Sequence, residues 1–139
     1  MKVLGIQIKS KEAILVILTQ DGSGNIVQTD ECTTFEITDI YNSNHVKQFR
    51  NQINIAFDTI KPHRIGICKR NENGKGMMAP SPVSFKLEGI IQLYDKIDVE
   101  FVAPQTTKAF LKKNTCSIVP SKKYQQDAFD VAYYLLTAK

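Results

Sequence analysis

Between Ala13 and Leu18 the chain runs through six apolar residues without a polar interruption. Side chains of a strand alternate between two faces, so such a run buries both. It is far shorter than the ~20 residues that span a bilayer. The stretch Glu12-Ala-Ile-Leu-Val-Ile-Leu-Thr-Gln20 therefore predicts a strand inside a sheet covered on both sides. A layered α/β domain meets that demand, with helices on each face. With 139 residues, 42% of them hydrophobic, the chain has the size and the apolar content for one such domain, expected over residues 1–139.

The elements around this strand follow from periodicity and turn chemistry. Lys2 to Lys9 is short, apolar and β-branched, a strand joined to the first by the turn Ser10-Lys11. Asp21-Gly-Ser-Gly-Asn25 is a turn cluster, and residues 26–37 alternate polar and apolar as an edge strand does. The opening is thus an antiparallel meander of three strands. From 44 to 60, Val46, Phe49, Ile53, Ala56, Phe57 and Ile60 recur at helical spacing, and Pro62 follows. Arg64 to Cys68 reads as strand four. Ser81-Pro82 reads as the N-cap and first residue of a second helix, which ends near Lys96. Asp98 to Ala103 is strand five, residues 105–113 a short basic helix, and about 122–138 the last helix. The order is β-β-β-α-β-α-β-α-α. Right-handed crossovers make strands one, four and five parallel, giving the strand order 3-2-1-4-5.

Composition excludes several classes. Cys32, Cys68 and Cys116 are an odd, scattered set without a CxxC pair, and there are only two histidines. Reduced thiols are implied, not a disulfide scaffold or a zinc ribbon. No signal-peptide pattern or membrane span is visible, so a cytoplasmic location is expected. His45 and His63 lack a triad-like neighbourhood and read as surface or capping residues. Asn73-Gly-Lys-Gly-Met-Met78 lacks the spacing of a phosphate loop. Met77 and Met78 read as packing or a dimer contact.

Charge is uneven beneath the net +4. Glu12 to Val46 holds six acids and no Lys or Arg, whereas Phe101 to Gln126 holds five lysines and no acid. Lys61, Arg64, Lys69, Arg70 and Lys75 add a second basic stretch. A shared positive face suits a polyanion; a solvated surface is the plainer alternative.

The last helix carries the most specific pattern. Asp127 and Asp130 are three apart and share a face of a helix that is otherwise nearly all apolar. Paired carboxylates suit a hard cation such as Mg²⁺, and acids in a first helical turn are also favoured by the helix dipole alone.

The chain resembles the RuvC-like Holliday-junction resolvases of the ribonuclease H-like superfamily, along nearly its whole length, and more narrowly a compact bacterial family within that group. Asp127-Ala128-Phe129-Asp130-Val131-Ala132 is similar to that group's Asp-Ala-x-Asp-Ala-x-Ala helix, with Val131 at an alanine-type position. Pro104-Gln105-Thr106-Thr107-Lys108 is similar to its Pro-x-x-x-Lys, and Gly5-Ile6-Gln7-Ile8-Lys9 to its Gly-Ile-Asp-x-Gly. The resemblance implies a ribonuclease H-like mixed five-stranded sheet. It also implies four carboxylates holding two metal ions for phosphodiester hydrolysis.

The departures qualify that activity. Gln7 stands where the resemblance places the metal-bridging Asp. Near Ile67-Cys68-Lys69, where a Glu is expected, there is no acid. Asp127 and Asp130 remain as metal ligands for Mg²⁺ or Mn²⁺ if the site is active, with Glu72 as a substitute acid. Lys9, Lys69, Arg70, Lys75, Gln105 and Lys108 follow the carboxyl ends of the parallel strands, where open α/β sheets bind ligands. Lys69, Arg70, Lys75 and Lys108 are therefore the candidate phosphate contacts, with Asp127 and Asp130 orienting Lys69 or Arg70. Three functions stay open: a non-enzymatic nucleic-acid-binding protein with a degenerate nuclease site, a divergent metal-dependent nuclease, and an interaction scaffold. The implied partner is nucleic acid, with no membrane and room for a homodimer. Tyr124, Tyr133 and Tyr134 are aromatic groups available for stacking on bases or for packing.

Overall fold

A computed structural model describes residues 1–29, 31, 34–69 and 82–138. The strands are β1 (Lys2–Lys9), β2 (Glu12–Gln20), β3 (Ile26–Thr29), β4 (Thr34–Glu36), β5 (Arg64–Cys68) and β6 (Val99–Val102). The helices are α1 (Ser43–Ile60), α2 (Pro82–Gln92), α3 (Pro104–Lys113) and α4 (Gln126–Thr137). A 3₁₀ turn, Lys123–Gln125, leads into α4.

The sheet order is β3-β2-β1-β5-β6, with β4 also paired to β2. β1 and β2 are antiparallel, while β1, β5 and β6 run parallel. This is the expected order, with the third strand divided into β3 and β4. Both pieces pair with β2, β3 beside Ile17–Gln20 and β4 beside Glu12–Ile14.

β2 is buried on both faces, as its unbroken apolar run requires. On one face Leu4, Ile6, Leu15, Ile17, Ile65 and Ile67 pack under Phe49, Ile53 and Phe57 of α1 and Leu87 and Ile91 of α2. On the other, Val3, Ile14, Val16 and Leu18 pack under Ala128, Val131, Ala132 and Leu135 of α4. Asn42 caps α1, its side-chain oxygen accepting from the N–H groups of Asn44 and His45 at 2.9 and 3.3 Å. Tyr94 closes the first layer: its ring meets Phe57 edge-on at 5.0 Å, and its hydroxyl donates to Asp58 at 2.8 Å.

α2 ends at Gln92, short of Lys96. The N–H groups of Leu93 and Tyr94 reach back to Ile90 and Ile91, an i→i−3 tightening that ends the helix while Tyr94 still faces the core. Ser81, expected as its N-cap, lies outside the described residues. Cys68 is half-buried at the end of β5 and packs against the α4 layer. Among the described residues, no helix is long and apolar enough to cross a membrane.

Over Gly5, α4 touches the sheet backbone to backbone, and over Gly66 its side chains rest directly on the strand. A Cβ on Gly5 would run into the carbonyl oxygen of Ala128 and stand 2.7 Å from the Ala132 nitrogen. A Cβ on Gly66 would stand 2.7 Å from Leu135 Cδ1 and 3.0 Å from Val131 Cγ1. The far end of α4 is tied down by Arg64. Its Nη1 donates to the Leu135 carbonyl at 2.9 Å, and its Nε and Nη2 grip both oxygens of Glu100 at 2.9 and 2.6 Å. Gly5→Ala is expected to destabilise the fold by roughly 3 kcal/mol, the upper end of over-packing costs, because its obstruction is backbone that cannot rotate away. Chemical denaturation checks this, and an unchanged midpoint would refute the close contact.

Candidate functional site

Strand parity and helix direction together bring the candidate residues to one place. Gln7 shares a face of β1 with Val3 and Gly5 and lies near the strand's carboxyl end. α4 crosses β1 and β5, from Gln7 of β1 at its first turn to Arg64 of β5 at its last. Because Gly5 lets the helix sit low, Asp127 reaches the sheet. The Gln7 Nε2 donates to Asp127 Oδ2 at 2.8 Å, across 120 positions of sequence.

Asp130, one turn on, is half-buried and accepts from the Gln126 Nε2 at 2.7 Å. Both carboxylates are thus held by neutral glutamine amides. Among the described residues neither makes an ion pair, so the expected pairing with Lys69 is not formed, and Arg70 lies outside the described residues. Burial pushes the Asp130 carboxyl up from the usual carboxylate range; the Gln126 hydrogen bond opposes this, and the Asp127 charge adds to it.

Among the described residues, the donor set does not fit a two-metal centre. Gln7 offers a cation one neutral carbonyl oxygen where a bridging carboxylate is needed. Its amide, oriented by its hydrogen bond, turns the NH₂ towards Asp127. Among the described residues, no three His, Cys, Asp or Glu side chains gather as metal ligands. Glu72, the expected substitute acid, lies outside the described residues.

The basic residues frame the same end of the sheet. Lys69 follows β5 directly, its N–H donating to Val102 at 2.8 Å and its side chain exposed. Lys9 ends β1, exposed. Lys108 is exposed on α3, which follows β6 through Pro104. α3 is held by Phe110, whose ring meets Tyr133 at 5.8 Å and Tyr134 at 5.4 Å. Lys75 lies outside the described residues. Two features escaped the sequence reading. The Gln126–Asp130 bond is visible in principle as an i,i+4 pair. The buried Gln125, which accepts from Gln28 at 3.0 Å, joins positions 97 apart and leaves no local signal.

A family model described as "Protein of unknown function (DUF3010)" matches residues 1–135. The chain belongs to this family. No curated protein matches the sequence. Among solved structures it is similar to Thermus thermophilus RuvC, with a TM-score of 0.73 and 12% identity over 97% of this chain and 95% of that one. It is also similar to T. thermophilus RuvC in complex with Holliday junction substrate (TM-score 0.72, 13% identity, 97% and 95% covered). The yeast mitochondrial Holliday junction resolvase Ydc2 aligns over 94% of this chain and 75% of its own, at TM-score 0.59 and 14% identity. At such identities the likeness is one of fold, and the fold of this DUF3010 chain is RuvC-like and ribonuclease H-like.

The Asp130 environment has a pH signature. A carboxyl whose folded pKa is raised holds its proton more tightly folded than unfolded. The protein is therefore penalised, relative to its acid form, as pH rises through the ordinary carboxylate range and past the raised value. Asp130→Asn removes that penalty. The variant is expected to gain stability relative to the parent at neutral pH and to lose that advantage below the ordinary Asp range. Paired thermal melts across pH check this, and a pH-independent difference would refute it.

Proposed function

We propose that this chain is a nucleic-acid-binding protein on a RuvC-like fold, in which the hydrolytic centre has become a hydrogen-bonded cluster. The observation that carries the reading is the Gln7–Asp127 bond: a neutral amide occupies the first-strand acid position and uses an N–H, not an oxygen, towards its neighbour. A cation held at that point would find one neutral carbonyl oxygen on Gln7, and only once the amide gave up this bond. Lys69 and Lys108, with Arg70 and Lys75, then contact phosphates around the carboxyl ends of the parallel strands. The T. thermophilus RuvC complex with Holliday junction substrate makes branched DNA the first ligand to test.

Fluorescence anisotropy with a four-way junction, duplex, single strand and RNA hairpin tests the reading, at two salt concentrations and with or without Mn²⁺. If four cations each neutralise a duplex phosphate, affinity falls with a log–log salt slope of about −3.6, roughly a hundredfold between 50 and 200 mM. The double variant Lys69→Ala/Lys108→Ala shallows that slope by about 2. The substrates remain uncut in Mg²⁺ and Mn²⁺. Cleavage that disappears in Asp127→Asn would replace this reading with a divergent nuclease. Absence of binding at low salt would replace it with an interaction scaffold.

A further inference from the structure

The segment entering α4 presents three exposed side chains that the proposed phosphate contacts leave out. Lys122, Lys123 and Tyr124 lie next to each other, three to five residues before Asp127, and all three are exposed. The tyrosines of this region separate clearly. Tyr133 is 6% exposed and Tyr134 packs edge-on against Phe110, whereas Tyr124 is 49% exposed. An aromatic ring left in water beside two lysines, in a stretch of 26 residues without an acid, has the makings of a stacking platform.

The platform is also fixed in place. Gln125, only 1% exposed, turns inward, and its Oε1 accepts from the Lys122 N–H at 3.1 Å and from Gln28 Nε2 at 3.0 Å. The other end of the Gln28 amide accepts from the Ser121 N–H at 2.9 Å. A buried glutamine and a strand glutamine therefore clamp the turn on both sides of Lys122. Side chains on a clamped turn lose less freedom on binding than side chains on a loose one.

We infer that Lys122, Lys123 and Tyr124 form a binding site for an unpaired nucleotide, Tyr124 stacking on the base and the two lysines holding flanking phosphates. The inference rests on the nucleic-acid reading above and deepens it: the preferred ligand has single-stranded character at the edge of the Asp127 cluster. Every base has a π face, so the site accepts DNA or RNA with little sequence preference.

The chain contains no tryptophan, so Tyr124→Trp installs one indole reporter at the platform. Its emission is followed during titration with oligo-dT, single-stranded RNA of equal length and a blunt duplex. Strong quenching by both single strands and little by the duplex is expected. Tyr124→Ala is expected to weaken single-strand binding on the order of tenfold or more, Tyr124→Phe to preserve it, and Lys122→Ala and Lys123→Ala each to shallow the single-strand salt slope by about 0.7. Circular dichroism melts of the exposed-site variants confirm folding. Single-strand binding with unquenched emission and a neutral Tyr124→Ala would overturn this site while leaving nucleic-acid binding intact. Absence of binding to every nucleic acid would overturn both.

Discussion

Backbone-to-backbone contact between α4 and the centre of the sheet sets the geometry of this protein. Most helices ride on a sheet at about 10 Å, the spacing that side chains impose. Here Gly5 and Gly66 remove the side chains below, and Ala128 and Ala132 thin the layer above. The helix drops until its own backbone fills the space over Gly5 and the Leu135 and Val131 side chains fill that over Gly66. Its first turn therefore lies within reach of short side chains on β1, and Gln7 meets Asp127. A helix carried higher would part the two side chains. The Ala-rich spacing of the last helix is thus a packing requirement first, and what it positions chemically depends on the residue at 7.

That residue changes the electrostatics of the cluster. With a third carboxylate, the site would hold concentrated negative charge that only cations could balance. With glutamine, the two remaining carboxylates each receive an amide N–H, and one is partly withdrawn from water. Among the described residues, no lysine at the surrounding strand ends makes an ion pair to this cluster. One carboxylate fewer leaves the cluster itself less negative.

The sequence foretold the parts of the fold governed by one-dimensional patterns. The doubly buried β2, the periodic apolar stripe of α1, the parallel placement of β5 and β6, and the shared face of Asp127 and Asp130 all follow from spacing. What it did not foretell depends on contacts distant along the chain. The edge strand divides because β3 and β4 pair with opposite ends of β2. The last helix starts at Gln126, not near 122, because Gln125 turns inward to Gln28 and leaves the preceding residues in a tighter turn. The Gln7–Asp127 bond joined two residues that the pattern had singled out separately, one as a missing acid and one as a surviving acid.

The contact between α4 and β1 also limits how this molecule can vary. In most cores an enlarged side chain on one element is accommodated by a reduced one on its neighbour, and packing is preserved by exchange of volume. At Gly5 the facing residues are Ala128 and Ala132, and the nearest atoms belong to the helix backbone. The strand side already carries the smallest residue there is, and on the helix side only a methyl group is left to remove. No partner substitution compensates for a gain at position 5. Variation around the site therefore falls to the residues flanking this seam, position 7 among them, where the chemistry can change while the spacing stays fixed.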